Sequence, residues 1–78
     1  MADILPAQSR GARGLIQWSQ TQLAEKAGIS LSTVADFEKG RRQPIPNNLA
    51  AIRKALENAG VKFINASKRG GAGVRLRE

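Results

Sequence analysis

The sequence predicts a mainly α protein: a compact bundle of four helices with a central helix-turn-helix, followed by a C-terminal β-hairpin. Two observations predict this fold. Apolar residues recur at helical spacing in segments separated by Gly and Pro, and beyond Gly60 the apolar period changes from that of a helix to that of a strand. A chain of 78 residues is long enough for one modest core.

The first predicted helix is intrinsically weak. Pro6 suits its first position, because proline lacks an N–H that this position does not need. Gly11 and Gly14 each cost a helix about 1 kcal/mol relative to alanine, so we expect this helix to depend on packing against its neighbours. Its apolar positions are Ala12, Leu15 and Ile16.

The second and third helices are short and have clear start and stop signals. Ser19 begins the second, because Gln22 three residues later completes a capping box, and Gly28 ends it. Ser30 caps the third and Gly40 ends it. The inward residues are Leu23, Ala24 and Ala27, then Val34 and Phe37. The outward residues of the third helix are Ser32, Ala35, Asp36 and Lys39.

The last helix and the two strands follow a proline-containing loop. Pro44 and Pro46 mark that loop, Asn47 is the expected cap, and the helix ends near Gly60. Its apolar stripe is Leu49, Ile52, Ala55 and Leu56. In the strands, Val61 and Phe63 alternate with Lys62 and Ile64, and Val74 and Leu76 alternate with Arg75 and Arg77. The loop over residues 65–73 is long for a hairpin, so its register is not readable.

Composition limits the classes of function. The formal net charge is +7, from 13 Lys and Arg against 6 Asp and Glu, which favours a polyanionic partner. Without Cys or His, the sequence offers no disulfide, metal site or usual general base, so we expect neither an enzyme nor a cofactor. It contains no membrane-spanning apolar run and no secretory signal, which predicts a cytoplasmic protein without a membrane partner.

The spacing of small and apolar residues predicts the helix-turn-helix itself. Ala24 lies where the two helices approach closely, and Gly28 permits the turn between them. The run QTQLAEKAGISLSTVADFEKG, Gln20 to Gly40, strongly resembles the phage-repressor and Cro family of XRE-type regulators, and the resemblance covers roughly residues 6–60. It implies a transcriptional regulator, commonly a repressor, that binds double-stranded DNA operators as a symmetric homodimer. The recognition helix corresponds to Ser30 through Lys39.

The resemblance also assigns the contact residues. It places Gln20 near a phosphate at the start of the second helix, and it places Leu31, Ser32, Thr33 and Asp36 toward the DNA. Chemistry agrees, because hydroxyls bond to bases or phosphates, a leucine touches a thymine methyl, and an aspartate accepts from a cytosine amino group. No Arg, Asn or Gln lies on this outward face. The nearest candidates for backbone contact are Arg41, Arg42 and Gln43 in the following loop. Lys68 and Arg69 in the glycine-rich segment either reach DNA or keep that loop soluble.

A set of structural residues completes the predicted site. Glu38 follows Phe37 on the part of the helix that faces the first helix, where an unpaired carboxylate would be costly. Arg13 is its expected partner, and the family resemblance supports this pairing. The residues read as structural are Arg13, Ala24, Gly28, Val34, Phe37 and Glu38.

The same fold leaves other functions open. An antitoxin represses its own operon with such a domain and binds a toxin through its C-terminal segment, here the hairpin. A protein-binding adaptor keeps the fold without using DNA, and the weakly polar recognition face favours it slightly. We divide the chain into a helix-turn-helix domain, residues 1–60, and a hairpin extension, residues 61–78, which offers a strand edge to a second copy or to another protein.

Overall fold

The structure is a computed structural model that describes residues 4–68 and 70–77. Four helices are followed by a two-stranded antiparallel sheet, which confirms the predicted fold class. None of the helices in the described residues is long and apolar enough to cross a membrane. The helices are α1 (Pro6–Ile16), α2 (Gln20–Ala27), α3 (Leu31–Glu38) and α4 (Pro46–Asn58), and the strands are β1 (Val61–Ile64) and β2 (Gly73–Leu76).

The signals read from the sequence around α2 and α3 act locally as expected. Ser19 Oγ accepts a hydrogen bond from the Gln22 amide at 3.1 Å, and the Gln22 side chain accepts one from the Ser19 amide at 2.8 Å. Gly28 ends α2 with φ of +71°, a left-handed conformation that costs glycine little. Ser30 Oγ accepts from the Thr33 amide at 3.2 Å and caps α3, so only three residues separate the end of α2 from the start of α3.

The start of α4 differs from the prediction. Asn47 is not the cap, because the helix already begins at Pro46 and Ile45 is its N-cap residue. Proline fits the first helical position with its fixed φ and its missing N–H, so no capping side chain has to replace a lost hydrogen bond there. The Asn48 and Leu49 amides then donate to the Ile45 carbonyl at 2.9 and 3.0 Å.

One apolar core joins the helices and the hairpin. Leu15 is exposed, so the inward side of α1 is narrower than the apolar spacing predicted, and the polar residues Gln8 and Ser9 are buried there instead. The buried apolar residues are Ile4, Ala12, Leu23, Ala24, Val34, Phe37, Leu49, Ile52, Ala55, Leu56, Val61 and Phe63. Because Val61 and Phe63 belong to this set, the hairpin is packed as part of the same core.

The hairpin lies against α1 in a defined register. Val61 pairs with Leu76 and Phe63 with Val74, while a single bridge between Ser67 and Gly70 tightens the connecting loop. Gln8 Nε2 donates to the carbonyls of Ile64 and Gly73, at 3.2 and 3.0 Å. A buried amide on α1 therefore binds both strands at one end of the sheet.

Gly11 has a packing role that the sequence did not reveal. A Cβ at this position would lie 3.2 Å from Cγ2 of Val74, closer than most packed carbons, whereas a Cβ at Gly14 would meet no atom within 4 Å. Gly11 thus lets the hairpin approach the α1 backbone, and Gly14 has no comparable contact.

Candidate functional site

Helix α3 is held from one side only. Val34, Phe37 and Glu38 are buried on its inner side. At its N-terminal end Leu31 is 46% exposed, and Ser32 is also exposed. The helix therefore presents its first turn to solvent while its last turn is anchored in the core.

Three hydroxyl groups form a cluster at this exposed end. Ser30 Oγ lies 2.7 Å from Thr33 Oγ1 and 3.2 Å from Ser32 Oγ. Thr33 is half-buried, and its hydroxyl contacts the cap residue Ser30. Ser30 and Ser32 are both exposed, and the bond between them limits the rotamers that Ser32 adopts.

The outward residues farther along α3 are less accessible than predicted. Asp36 and Ala35 are half-buried, and the chain turns after the end of the helix. The Arg41 amide donates to the Asp36 carbonyl at 2.9 Å and closes that turn. Arg41 and Arg42 follow directly and are exposed, as is Gln43. Two guanidinium groups thus adjoin the C-terminal end of α3.

Glu38 lies at the centre of a polar cluster between α1, α2 and α3. Arg13 donates through Nη2 to Oε1 at 2.7 Å and through Nε to Oε2 at 2.9 Å. Ser9 Oγ donates to Oε2 at 2.6 Å, and Gln20 Nε2 donates to Oε1 at 3.0 Å. Arg10 donates to the Glu38 backbone carbonyl. The expected ion pair is present. Arg13 also donates to the backbone carbonyl of Trp18, which lies outside the cluster.

Sequence reasoning missed the contribution of Ser9 and Arg10. Both were detectable in principle, since they precede Arg13 by four and three residues and therefore lie on the same face of α1. Nothing in the sequence required a further donor to the Glu38 carboxylate from Ser9, or a donor to the Glu38 backbone carbonyl from Arg10. Arg10 is exposed, whereas Ser9 is fully buried.

Burial and hydrogen bonding act in opposite directions on the carboxyl group of Glu38. Burial raises its pKa, but hydrogen bonds from Arg13, Gln20 and Ser9, together with the charge of Arg13, outweigh burial and leave the pKa below its ordinary value. The hydrogen bond to Glu38 raises the pKa of Arg13, partly offset by burial. Both groups are therefore ionised at neutral pH.

Gln20 makes a contact within the protein that the family resemblance did not include. Its side-chain amide donates to Glu38, and the residue is half-buried. The amide nitrogen therefore joins the start of α2 to the end of α3. Of the two basic residues singled out in the glycine-rich loop, Lys68 is exposed and Arg69 lies outside the described residues.

The described part of the chain shows no group of three or more carboxylates, imidazoles or thiols that fits a metal ion. Its open surface depressions are shallow. One, of about 330 Å³, lies between Trp18 and the end of α4 and is lined by Trp18, Lys26, Ala55, Asn58 and Ala59. The candidate site is therefore the exposed first turn of α3 together with the exposed arginines that follow its last turn.

Comparison with known proteins agrees with this geometry. Residues 10–59 match the sequence model of the helix-turn-helix family. Among solved structures, the chain is similar to the NMR structure of the DNA-binding domain of the P22 C2 repressor, residues 1–76, with 28% sequence identity and a TM-score of 0.63. The match covers 73% of this chain and 76% of that chain. No curated protein sequence matches this chain.

Proposed function

The chain belongs to the helix-turn-helix family, in its XRE-type branch, and from this premise we propose that it is a sequence-specific double-stranded DNA-binding regulator of transcription. It acts as a repressor by placing α3 in the major groove of an operator. The observation that carries the proposal is the asymmetry of α3. Its C-terminal turn is anchored in the core and its N-terminal turn, with Leu31 and Ser32, is exposed.

The shape and width of an α-helix suit the major groove, where each base pair presents a distinct pattern of donors, acceptors and methyl groups. Ser32, whose hydroxyl is exposed in the first turn of α3, hydrogen-bonds to a base edge, while Leu31 contacts a thymine methyl. Asp36, half-buried in the free protein, accepts from a cytosine amino group. Thr33 holds the hydroxyl cluster together through Ser30 and contacts the DNA at its margin.

Phosphate contacts position this helix without reading sequence. Arg41 and Arg42 are exposed directly beyond α3 and bind the backbone there. The start of α2 is a second proposed phosphate contact, because helix N-termini attract phosphate. Gln20 supports this position by fixing the α2 start to Glu38.

A homodimer completes the proposed DNA-binding unit, because one helix-turn-helix covers a single half-site and operators commonly mirror a two-fold axis. The end of the hairpin offers an apolar contact for a second copy. Leu76 is 41% exposed and borders a depression of about 430 Å³ lined by Ala59, Gly60, Leu76 and Arg77.

A protein-binding adaptor is the second candidate, and a specific observation favours it. The exposed part of α3 contains a large apolar residue, Leu31, but no Arg, Asn or Gln, the side chains that read guanine and adenine most strongly. In an antitoxin both activities would be combined, with a toxin bound at the hairpin.

Selection of bound duplexes from a random DNA pool tests the proposal. We expect enrichment of one sequence with two-fold symmetry and half-sites about one helical turn apart. The double variant Leu31→Ala and Ser32→Ala, at the exposed end of α3, is expected to abolish enrichment while leaving the fold unchanged. Binding without enrichment in the wild-type protein would contradict sequence-specific regulation and favour the adaptor.

A further inference from the structure

The positive charge of this protein is concentrated away from the helix-turn-helix. Residues 61–78 contain five Lys or Arg and one Glu, a net +4 of the total +7, in less than a quarter of the chain. Helix α3 contains two acidic residues and no basic residue. The hairpin therefore carries most of the charge that attracts a polyanion.

Two of these basic residues lie directly opposite each other in the sheet. Lys62 and Arg75 are cross-strand partners, so their side chains share one face, and both are exposed. The other face carries Val61 and Phe63, which are buried in the core. Like charges directly opposite each other destabilise an antiparallel pair, so this arrangement weakens the hairpin of the free protein.

Two carboxylates among the described residues are already paired with arginines. Glu57 binds Arg53 at 3.1 Å, and Glu38 binds Arg13. Within residues 4–68 and 70–77, no ion pair involves Lys62 or Arg75. Arg75 Nη1 donates to the backbone carbonyl of Leu76, a neutral acceptor that does not cancel its charge. The face thus presents two adjacent cations to any anion that approaches.

We propose that this face of the hairpin binds the phosphate backbone of double-stranded DNA, as a contact separate from α3. The inference rests on the proposed function for its choice of polyanion. Lys62 and Arg75 each neutralise a phosphate, and the counterions released give binding energy that is independent of base sequence. A negative partner also reduces the repulsion between the two side chains, which adds to the binding energy.

The hairpin is held firmly enough to act with α3. Gln8 on α1 binds the carbonyls of Ile64 and Gly73, and Arg13 on the same helix binds Glu38 of α3. The longest extent of the molecule is 35 Å, about one turn of B-form DNA. The phosphates belong either to the same duplex, outside the base-contacted site, or to a second duplex.

Salt-dependent binding to a duplex of arbitrary sequence tests the proposal. The double variant Lys62→Gln and Arg75→Gln is compared with Lys26→Gln and Lys54→Gln, which removes the same charge from exposed positions on α2 and α4. We expect the slope of log K against log salt to fall by about two for the hairpin variant and to change little for the control. Between 50 and 200 mM salt, the wild-type protein then loses roughly tenfold more affinity than the hairpin variant.

Single variants at Lys62 and Arg75, each lowering the slope by about one, serve if the double variant does not fold. Equal effects of hairpin and control variants would mean that only total charge matters, and would overturn the proposal. An unchanged slope in the hairpin variant would also overturn the proposal. If that variant self-associates, the two charges serve to prevent aggregation. If it loses binding to phosphatidylserine vesicles, the two charges bind a membrane surface.

Two further measurements separate the alternatives within the proposal. The first is energy transfer between two differently labelled duplexes. If the wild-type protein gives this transfer and the hairpin variant does not, the phosphates belong to a second duplex. If the wild-type protein gives no transfer but the salt slope still depends on the hairpin, the phosphates belong to the same duplex. A hairpin-dependent slope without a selected operator supports this proposal and contradicts the proposed function. A selected operator with an unchanged slope supports the proposed function and contradicts this proposal.

Discussion

Arg13 and Glu38 form a two-point ion pair between α1 and α3, with Arg13 Nη2 2.7 Å from Glu38 Oε1 and Arg13 Nε 2.9 Å from Oε2. The carboxylate side chain is 1% exposed and the guanidinium side chain is 19% exposed. Ser9 and Gln20 supply further hydrogen bonds to the carboxylate. These contacts and the apolar core anchor the C-terminal end of α3. The pair therefore orients the helix that is proposed to read DNA.

Removing one member of this pair is expected to destabilise the fold strongly. Glu38→Ala leaves a partly buried guanidinium and two donors without their acceptor, which costs about 3 to 5 kcal/mol of unfolding free energy. Glu57→Ala is the matched control, since its pair with Arg53 lies nearer the surface and is worth under about 1 kcal/mol. Chemical denaturation measures both. Equal losses would show that burial does not strengthen the Glu38 pair.

Acid stability is expected to depend on Glu38. Its pKa is lower in the folded protein than in the unfolded chain, so its contribution is fully present above about pH 4.3 and is lost as pH falls through the folded pKa. Unfolding free energy measured against pH is expected to fall less steeply below pH 4.3 for Glu38→Gln than for the wild-type protein. Glu57→Gln is the control. An identical acid dependence in Glu38→Gln would contradict the lowered pKa.

Gly11 and Gly14 are expected to respond differently to alanine. Gly14→Ala gains helix propensity in open space and is expected to stabilise the protein by up to about 1 kcal/mol. Gly11→Ala brings a Cβ to 3.2 Å from Val74 Cγ2, so part or all of that gain is lost. Thermal unfolding of both variants, each also in a Val74→Ala background, measures the difference. If Gly11→Ala and Gly14→Ala stabilise the protein equally while Val74 is unchanged, the hairpin moves away from the added Cβ without a cost in stability.

Base reading and phosphate binding are expected to separate between α3 and the loop after it. Arg42→Ala weakens binding to every duplex about equally and lowers the salt slope by about one. Ser32→Ala alters preference at one or two base pairs by about 1 to 3 kcal/mol and leaves the slope nearly unchanged. Titrations of a selected operator and its single-base variants at several salt concentrations measure both quantities.

Asp36 gives a sharper form of the same test. Its negative charge repels phosphate, so Asp36→Ala is expected to strengthen binding to arbitrary duplexes while relaxing discrimination at one base pair. The division of roles is wrong if Asp36→Ala weakens all sites equally, or if Arg42→Ala changes base preference.

Self-association is expected to depend on one end of the hairpin. Leu76→Ser removes an exposed apolar side chain beside Ala59 and Gly60 and is expected to weaken the proposed homodimer. Ile64→Ser is the control, because Ile64 is similarly exposed but lies at the end of the sheet opposite to Leu76. Sedimentation equilibrium compares the dissociation constants. A dimer unaffected by Leu76→Ser, or absent in the wild-type protein, would remove the hairpin from dimerisation.

The sequence by itself determined the features that depend on interactions within a few residues. The capping box of Ser19 and Gln22, the left-handed turn at Gly28 and the cap at Ser30 each involve neighbours three or four positions apart, so their residue types predict α2 and α3 closely. The family resemblance covers this same stretch. The candidate-site residues that lie within this stretch could therefore be predicted from the sequence.

Only the tertiary structure decided the features that join distant parts of the chain. Gln8 binds carbonyls more than fifty residues away, Gly11 makes room for Val74, and Gln20 donates to Glu38. None of these has a local signal, because a side chain's distant partners depend on how complete elements pack and on which face each one buries. The facing of Lys62 and Arg75 likewise required the hairpin register, since shifting one strand by a single residue would change which side chains lie opposite each other.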